Sequence, residues 1–197
     1  MKQNLFICLM FLGLTSEALF AQIDLTPTIF VNSGISVPFG PHNFSKYWNS
    51  GFNLGGGAEF LLNPSLALQP YFEYNTMPVD KAKLNMSNSN IVGGNVSLYT
   101  LSLNFKSGGI RPVDGLGMYV IGGLGLFQLD QSSVGGGPGG AVKDLGMQVG
   151  LGLINKISAR YGFFAEIKYS VGFIEGDNAQ YLPLKIGIYF EPEDSKK

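Results

Sequence analysis

From Gly51 the chain alternates between two kinds of side chain. Phe52, Leu54, Gly56, Ala58, Phe60 and Leu62 are apolar or small, while Gly51, Asn53, Gly55, Gly57 and Glu59 between them are polar or glycine, with Leu61 apolar. Asn63-Pro64-Ser65 interrupts the pattern, which then resumes with Leu66, Leu68, Pro70, Phe72 and Tyr74 against Ala67, Gln69, Tyr71, Glu73 and Asn75. Successive side chains of a strand point to opposite faces, so the period of two predicts a hairpin of two long strands over Gly51–Met77. Each strand is about a dozen residues, roughly twice the common length in soluble domains. A polar face carrying glutamates and an apolar face ending in aromatics is the pattern of a strand that crosses a bilayer within a barrel, with Leu68 expected near the middle of the apolar face.

The same period recurs along the chain. Thr26–Pro38 reads as a first strand, with Ile29, Val31, Ile35 and Val37 against Thr28, Asn32, Gly34 and Ser36, and with Phe30 and Ser33 breaking the order. Asn95–Lys106 sets Ser97, Tyr99, Leu101, Leu103 and Phe105 against Thr100, Ser102, Asn104 and Lys106. Leu116–Gln128 is apolar and glycine-rich on both faces, so its sides cannot be assigned from the pattern. Lys143–Ile154, Arg160–Gly172 and Tyr181–Glu191 alternate again, the second of these most cleanly. Pro and Gly clusters mark the intervening segments as loops or turns, among them 39–50, 78–94 and 129–142. Eight strands result. The connections after the second, fourth and sixth are short to moderate and those after the first, third and fifth longer, as in barrels that keep their turns on one side of a membrane and their loops on the other. A strand of about twelve residues tilted by roughly 40° rises close to 30 Å, the height of an apolar band.

Composition changes this picture little. The chain has 197 residues, enough for one domain; 14% are charged, at a net −1, which argues against a nucleic-acid partner. Mean hydropathy is +0.17 with no apolar run long enough for a transmembrane helix past the N-terminus. Hydrophobicity spread over alternating segments leaves a closed barrel as the way to satisfy the backbone in lipid. At the start, Lys2, the apolar run Leu5–Leu14 and the Ser16-Glu17-Ala18 and Leu19-Phe20-Ala21 triplets read as a signal peptide over 1–21, with cleavage after Ala21 favoured over Ala18. The barrel is expected over 22–191 and a polar, frayed tail over 192–197. Cys8, the only cysteine, falls inside the signal segment, so no disulfide or thiol chemistry is expected of the mature chain.

This pattern, the Asn63-Pro64-Ser65 hairpin, the stretch Tyr119–Leu126 and the last strand together resemble the eight-stranded outer-membrane barrels of the outer membrane protein A and X type. The resemblance covers the mature chain and implies an all-β, antiparallel, up-and-down transmembrane β-barrel in a bacterial outer membrane. Lys185, Gly187 and Phe190 resemble that class's C-terminal insertion signal, although seven residues follow Phe190 here. The resemblance further implies outer-membrane lipids and lipopolysaccharide as surroundings, the barrel-assembly machinery and periplasmic chaperones as partners in biogenesis, and a monomer. No globular domain is expected after the barrel, so peptidoglycan binding has no candidate residues.

Glu59, Glu73, Glu166, Lys168 and Lys185 fall on the inward faces. Charges in a narrow barrel must be paired and hydrogen-bonded, which predicts an interior polar network joining strands two and three to strands seven and eight. An eight-stranded barrel is just wide enough for its own side chains, so a general porin is not expected; a plugged lumen is, with a gated narrow pore as the alternative. His42, near Ser45, is an isolated loop histidine without a partner motif, and the GGGPGG run lacks the ending of a phosphate-binding loop. No catalytic residue, metal site or cofactor is therefore expected. The sequence points to a non-enzymatic barrel serving envelope structure or surface recognition and adhesion through its loops. A lipid-modifying barrel enzyme would need a His, Ser and acidic cluster at the rim. A soluble lipocalin-like carrier would need Glu59 and Lys168 on the outside.

Overall fold

A computed structural model describes residues 24–40, 42–80, 82–83, 94–112, 115–131, 140–173 and 178–192. The expected signal peptide, the GGGPGG run up to residue 139 and most of 78–94 lie outside the described residues. The described strands are β1 (Asp24–Gly40), β2 (Gly51–Asn63), β3 (Leu66–Pro78), β4 (Asn95–Gly108), β5 (Leu116–Gln131), β6 (Gly140–Lys156), β7 (Tyr161–Gly172) and β8 (Ala179–Phe190), with one short helix, α1 (His42–Tyr47). Each strand pairs antiparallel with its sequence neighbour, and β1 pairs with β8, closing an up-and-down barrel. Closure leaves no free edge, and nearly every strand backbone group enters a ladder.

The strands are longer than the alternation indicates: β1, β5 and β6 run on by two or three residues at ends where apolar contrast has faded but pairing continues. The predicted loop 39–50 is partly ordered. Gly40 still belongs to β1, α1 follows, and Trp48 bridges Val79 beyond β3. Asn49 N donates to Pro78 O at 2.9 Å and Asp80 N to Tyr47 O at 2.7 Å, so the β1–β2 and β3–β4 connections form a cap at one end. The opposite end, where β1 begins and β8 finishes, carries the tight connections. In the β2–β3 turn, Ser65 N donates to Asn63 Oδ1 at 2.9 Å, an Asx turn that explains why Asn63-Pro64-Ser65 reverses the chain. The end with the termini is called proximal below and the capped end distal.

Facing follows the pleat. Outward residues are large and apolar and stand exposed, among them Ile186 at 69%, Met118 at 68% and Leu124 at 68%. The inward face holds the buried set. Phe30, which breaks the alternation of β1, points into the lumen and stacks near Tyr71 and Phe164, with ring centroids 5.8 and 6.0 Å away. β5 acquires sides: Leu116, Met118, Val120, Leu124 and Leu126 face out, and Tyr119, Ile121 and Phe127 face in. Leu68 is not at mid-height; it is the third residue of β3, beside the proximal turn, and Phe72, paired with Leu101 and Gly56, occupies the middle of the outward face.

Two apolar clusters fill the ends of the lumen. The proximal one contains Phe30, Ala67, Tyr71, Ile110, Tyr119, Ile121, Ile154, Phe164 and Tyr189. The distal one contains Met77, Val96, Leu98, Phe127, Ala179 and Tyr181, with Trp48 and Leu129 packed against it. Between them lies a polar layer.

Candidate functional site: the charged lumen

Glu59 and Glu73 are delivered by the β2–β3 hairpin, Lys106 by β4, Glu166 and Lys168 by β7 and Lys185 by β8, all on inward-facing parity. Each is at most 7% exposed. Charges at that depth persist only with partners, and the partners are present.

Lys185 is the hub. Its Nζ lies 2.6 Å from Glu73 Oε2 and 3.2 Å from Glu166 Oε1, and it donates to Tyr71 Oη at 3.0 Å. Glu166 is also its direct cross-strand neighbour in the β7–β8 register. Lys168 Nζ sits 3.4 Å from Glu166 Oε1 and donates to Gln148 Oε1 at 3.1 Å. Lys168 and Lys185 both stand over the ring of Tyr71, at 4.2 and 4.6 Å from its centroid, where the negative face of the aromatic ring moderates their repulsion. The Tyr71 hydroxyl donates to Glu73 Oε2 at 2.6 Å.

Glu59 meets a lysine that the expected network does not include. It binds Lys106 of β4 at 2.8 Å, and among the described residues no ion pair joins it to β7 or β8. The link runs through Tyr119: Lys106 Nζ lies 4.0 Å over its ring, and its hydroxyl donates to Glu166 Oε2 at 3.1 Å. Three carboxylates and three ammoniums thus balance among the described lumen residues. Amides and hydroxyls surround them. Gln148 Nε2 lies 2.6 Å from both Ser102 Oγ and Asn104 Oδ1, and Asn104 Nδ2 donates to Gln69 Oε1 at 3.3 Å. Asn75 Nδ2 donates to Glu73 Oε1 at 3.0 Å, Ser36 Oγ to Asn75 Oδ1 at 2.5 Å, and Asn53 Nδ2 to Ser36 Oγ at 3.0 Å.

Glycines make room for the rings that complete the layer. A Cβ at Gly152 would land on the ring of Tyr119, one at Gly55 on the hydroxyl of Tyr71, and one at Gly187 on the ring of Phe164. Gly146 faces Phe127 and Gly162 faces Tyr189 in the same way.

Lys106, Tyr71 and Tyr119 are the members that the sequence reading leaves out of the network. The parity of Lys106 already places it inward, beside Asn104 and Ser102. Of the C-terminal trio, Lys185 is spent on the ion pairs, Gly187 faces Phe164, and Phe190 points outward between Ile29 and Tyr161. His42 begins α1, and its side chain lies outside the described ones. Among the described residues no group of three or more His, Cys, Asp or Glu is placed to hold a metal ion.

Several solved structures share this architecture. Neisserial surface protein A (NspA) is 13% identical, with a TM-score of 0.63, covering 85% of this chain and 97% of that one. The outer membrane protein OprG from Pseudomonas aeruginosa is 12% identical, with a TM-score of 0.53, covering 85% and 97%. The N-terminal β-barrel domain of Pseudomonas aeruginosa OprF is 16% identical, with a TM-score of 0.51, covering 83% and 96%. These are eight-stranded outer-membrane β-barrels, and the chain has their fold. No family model matches the sequence, and no curated protein matches it.

Proposed function

We propose that this chain, an eight-stranded barrel of the outer-membrane type, is a sealed and non-enzymatic surface protein of a bacterial outer membrane. It contributes to the envelope, or to recognition and adhesion, through its distal connections. The observation that carries the reading is the inversion of facing: charges balanced and buried inside, large apolar side chains exposed outside. A soluble carrier would require the reverse, since water would have to cover the Ile186, Met118 and Leu124 face. Lipid covers it at no such cost, and the outward aromatics Tyr161 and Phe163 near the proximal end and Tyr74 and Tyr169 near the distal end suit the two interfaces.

In this reading the proximal end is periplasmic and the distal cap faces outward. Outer-membrane lipids and lipopolysaccharide surround the barrel. Residues 1–21 direct export, periplasmic chaperones hold the unfolded chain, and the segment Lys185–Phe190 addresses it to the barrel-assembly machinery. The reading takes the protein as a monomer, and the closed sheet supports it by leaving no strand edge for a second copy to pair with.

Two measurements test the proposal. The folded protein migrates faster than the boiled one on a detergent gel and fractionates with outer membranes. In a planar bilayer it is silent, because the lumen is packed from end to end. Discrete openings would instead favour the narrow-pore reading, with the Glu73–Lys185–Glu166 pairs as its gate.

A further inference from the structure

The connection between β4 and β5 does something unusual for a turn. Connecting segments run over the surface because their backbone groups need water. Ile110 belongs to this connection, yet it is fully buried in the proximal cluster, inside the barrel mouth. The backbone N–H groups of 108–110 find partners within the chain: Gly108 N donates to Ser65 O at 2.9 Å, Gly109 N to Met118 O at 2.7 Å and Ile110 N to Gly108 O at 2.9 Å. Gly108 has φ +126, a conformation that side-chain-bearing residues rarely adopt, and a Cβ at Gly117 would collide with Gly109 O. The backbone is shaped to fold inward and insert one aliphatic side chain.

Arg111 then ties the segment down. Its Nη1 lies 2.6 Å from Glu191 Oε1, just past the end of β8, and its Nη2 donates to Thr28 Oγ1 of β1 at 2.5 Å. A planar guanidinium with several donors suits two partners at once. Glu191 is itself fixed, its N donating to Arg160 O at 2.6 Å in the β6–β7 turn. Glu191, the last residue of the expected barrel, is thus held at both its backbone and its side chain. Between the latch and the charged layer remains a cavity of about 10 Å³, lined by Thr28, Arg111 and Glu191 on one side and Glu59, Gln69 and Lys106 on the other, room for no more than one water.

We propose that Gly109–Arg111 is a plug for the proximal mouth, latched by Arg111 across the two strands that close the barrel. The plug keeps water from the Glu59–Lys106 pair. The latch exists only once β1 and β8 have met, so the mouth is sealed as a consequence of closure. Unlatching opens this end alone; the layer around Lys185 and the distal cluster stay in place.

The test is protection of a lumen thiol. In a Cys8→Ser background, Gln69→Cys places a reporter behind the plug, and a small cationic methanethiosulfonate reports its exposure in the folded protein, folding being checked by heat-modifiable migration. The parent labels slowly. Arg111→Ala and, independently, Ile110→Ser raise the rate by about tenfold or more, as local opening of the mouth requires. The exchange Arg111→Glu with Glu191→Arg restores protection toward that of the parent. Unchanged labelling in both single variants overturns the plug, and failure of the exchange to restore protection overturns the latch.

Discussion

Lys185 of β8 and Glu73 of β3 meet across the lumen, Nζ to Oε2 at 2.6 Å, although their strands are not neighbours in the sheet. This contact joins opposite walls, so its loss is felt by the whole barrel. Lys185→Met leaves Glu73 buried with its cationic partner gone, while Glu166 retains Lys168 at 3.4 Å. The expected cost is about 3–5 kcal/mol, read by denaturant titration of the barrel folded in detergent. Adding Glu73→Leu recovers part of it. A double variant as unstable as the sum of the singles would show that the two residues do not act as a pair.

Depth in the apolar band sets the penalty for an outward charge. Phe72→Arg, at mid-height, should cost about 2–4 kcal/mol, and Leu68→Arg, beside the proximal turn, about 0–1 kcal/mol. Equal costs in lipid bilayers would contradict the assigned facing or height.

Glycines on the two faces respond differently. At Gly152 a side chain meets the Tyr119 ring, so Gly152→Val displaces that ring from Glu166 and costs about 1–3 kcal/mol. At Gly122 an added Cβ meets only Gln148 O, at 3.7 Å, so Gly122→Ala stays within about 0.5 kcal/mol of the parent. The same titration separates them.

Trp48, the only tryptophan, reports on the distal cluster against which it packs. Leu98→Asn, inside that cluster, moves its emission to the red; Ile154→Asn, in the proximal cluster, leaves it in place. A response to both would mean that the two apolar layers are not independent.

Strand count, strand order and most facings could be read from sequence, because lipid and lumen impose opposite demands on alternate residues. The reading failed where that contrast fails. β5 looked two-sided because Tyr119, Ile121 and Phe127 belong to apolar layers inside the lumen, as Phe30 does on β1. The Glu59–Lys106 pair could not be read, because it skips β3 and depends on the stagger of the closed barrel. Glu166 and Lys185 lie on one hairpin, but only its register, which sets them directly opposite each other, makes them partners. Arg111, Thr28 and Glu191 lie far apart in the chain, and no local pattern joins them. α1 is six residues long, too short to print a helical period.

Within the lumen the rings of Tyr71, Tyr119, Phe127, Phe164 and Tyr189 each rest where a glycine leaves space. Trimming Tyr71 and Tyr119 to alanine would leave Gly55 and Gly152 as bare backbone at those points, while the distal cluster and the rest of the proximal one would still fill the ends of the lumen. Each of these rings lies on the strand next to its glycine, so side-chain volume in the lumen is allotted across paired strands and not along any one of them.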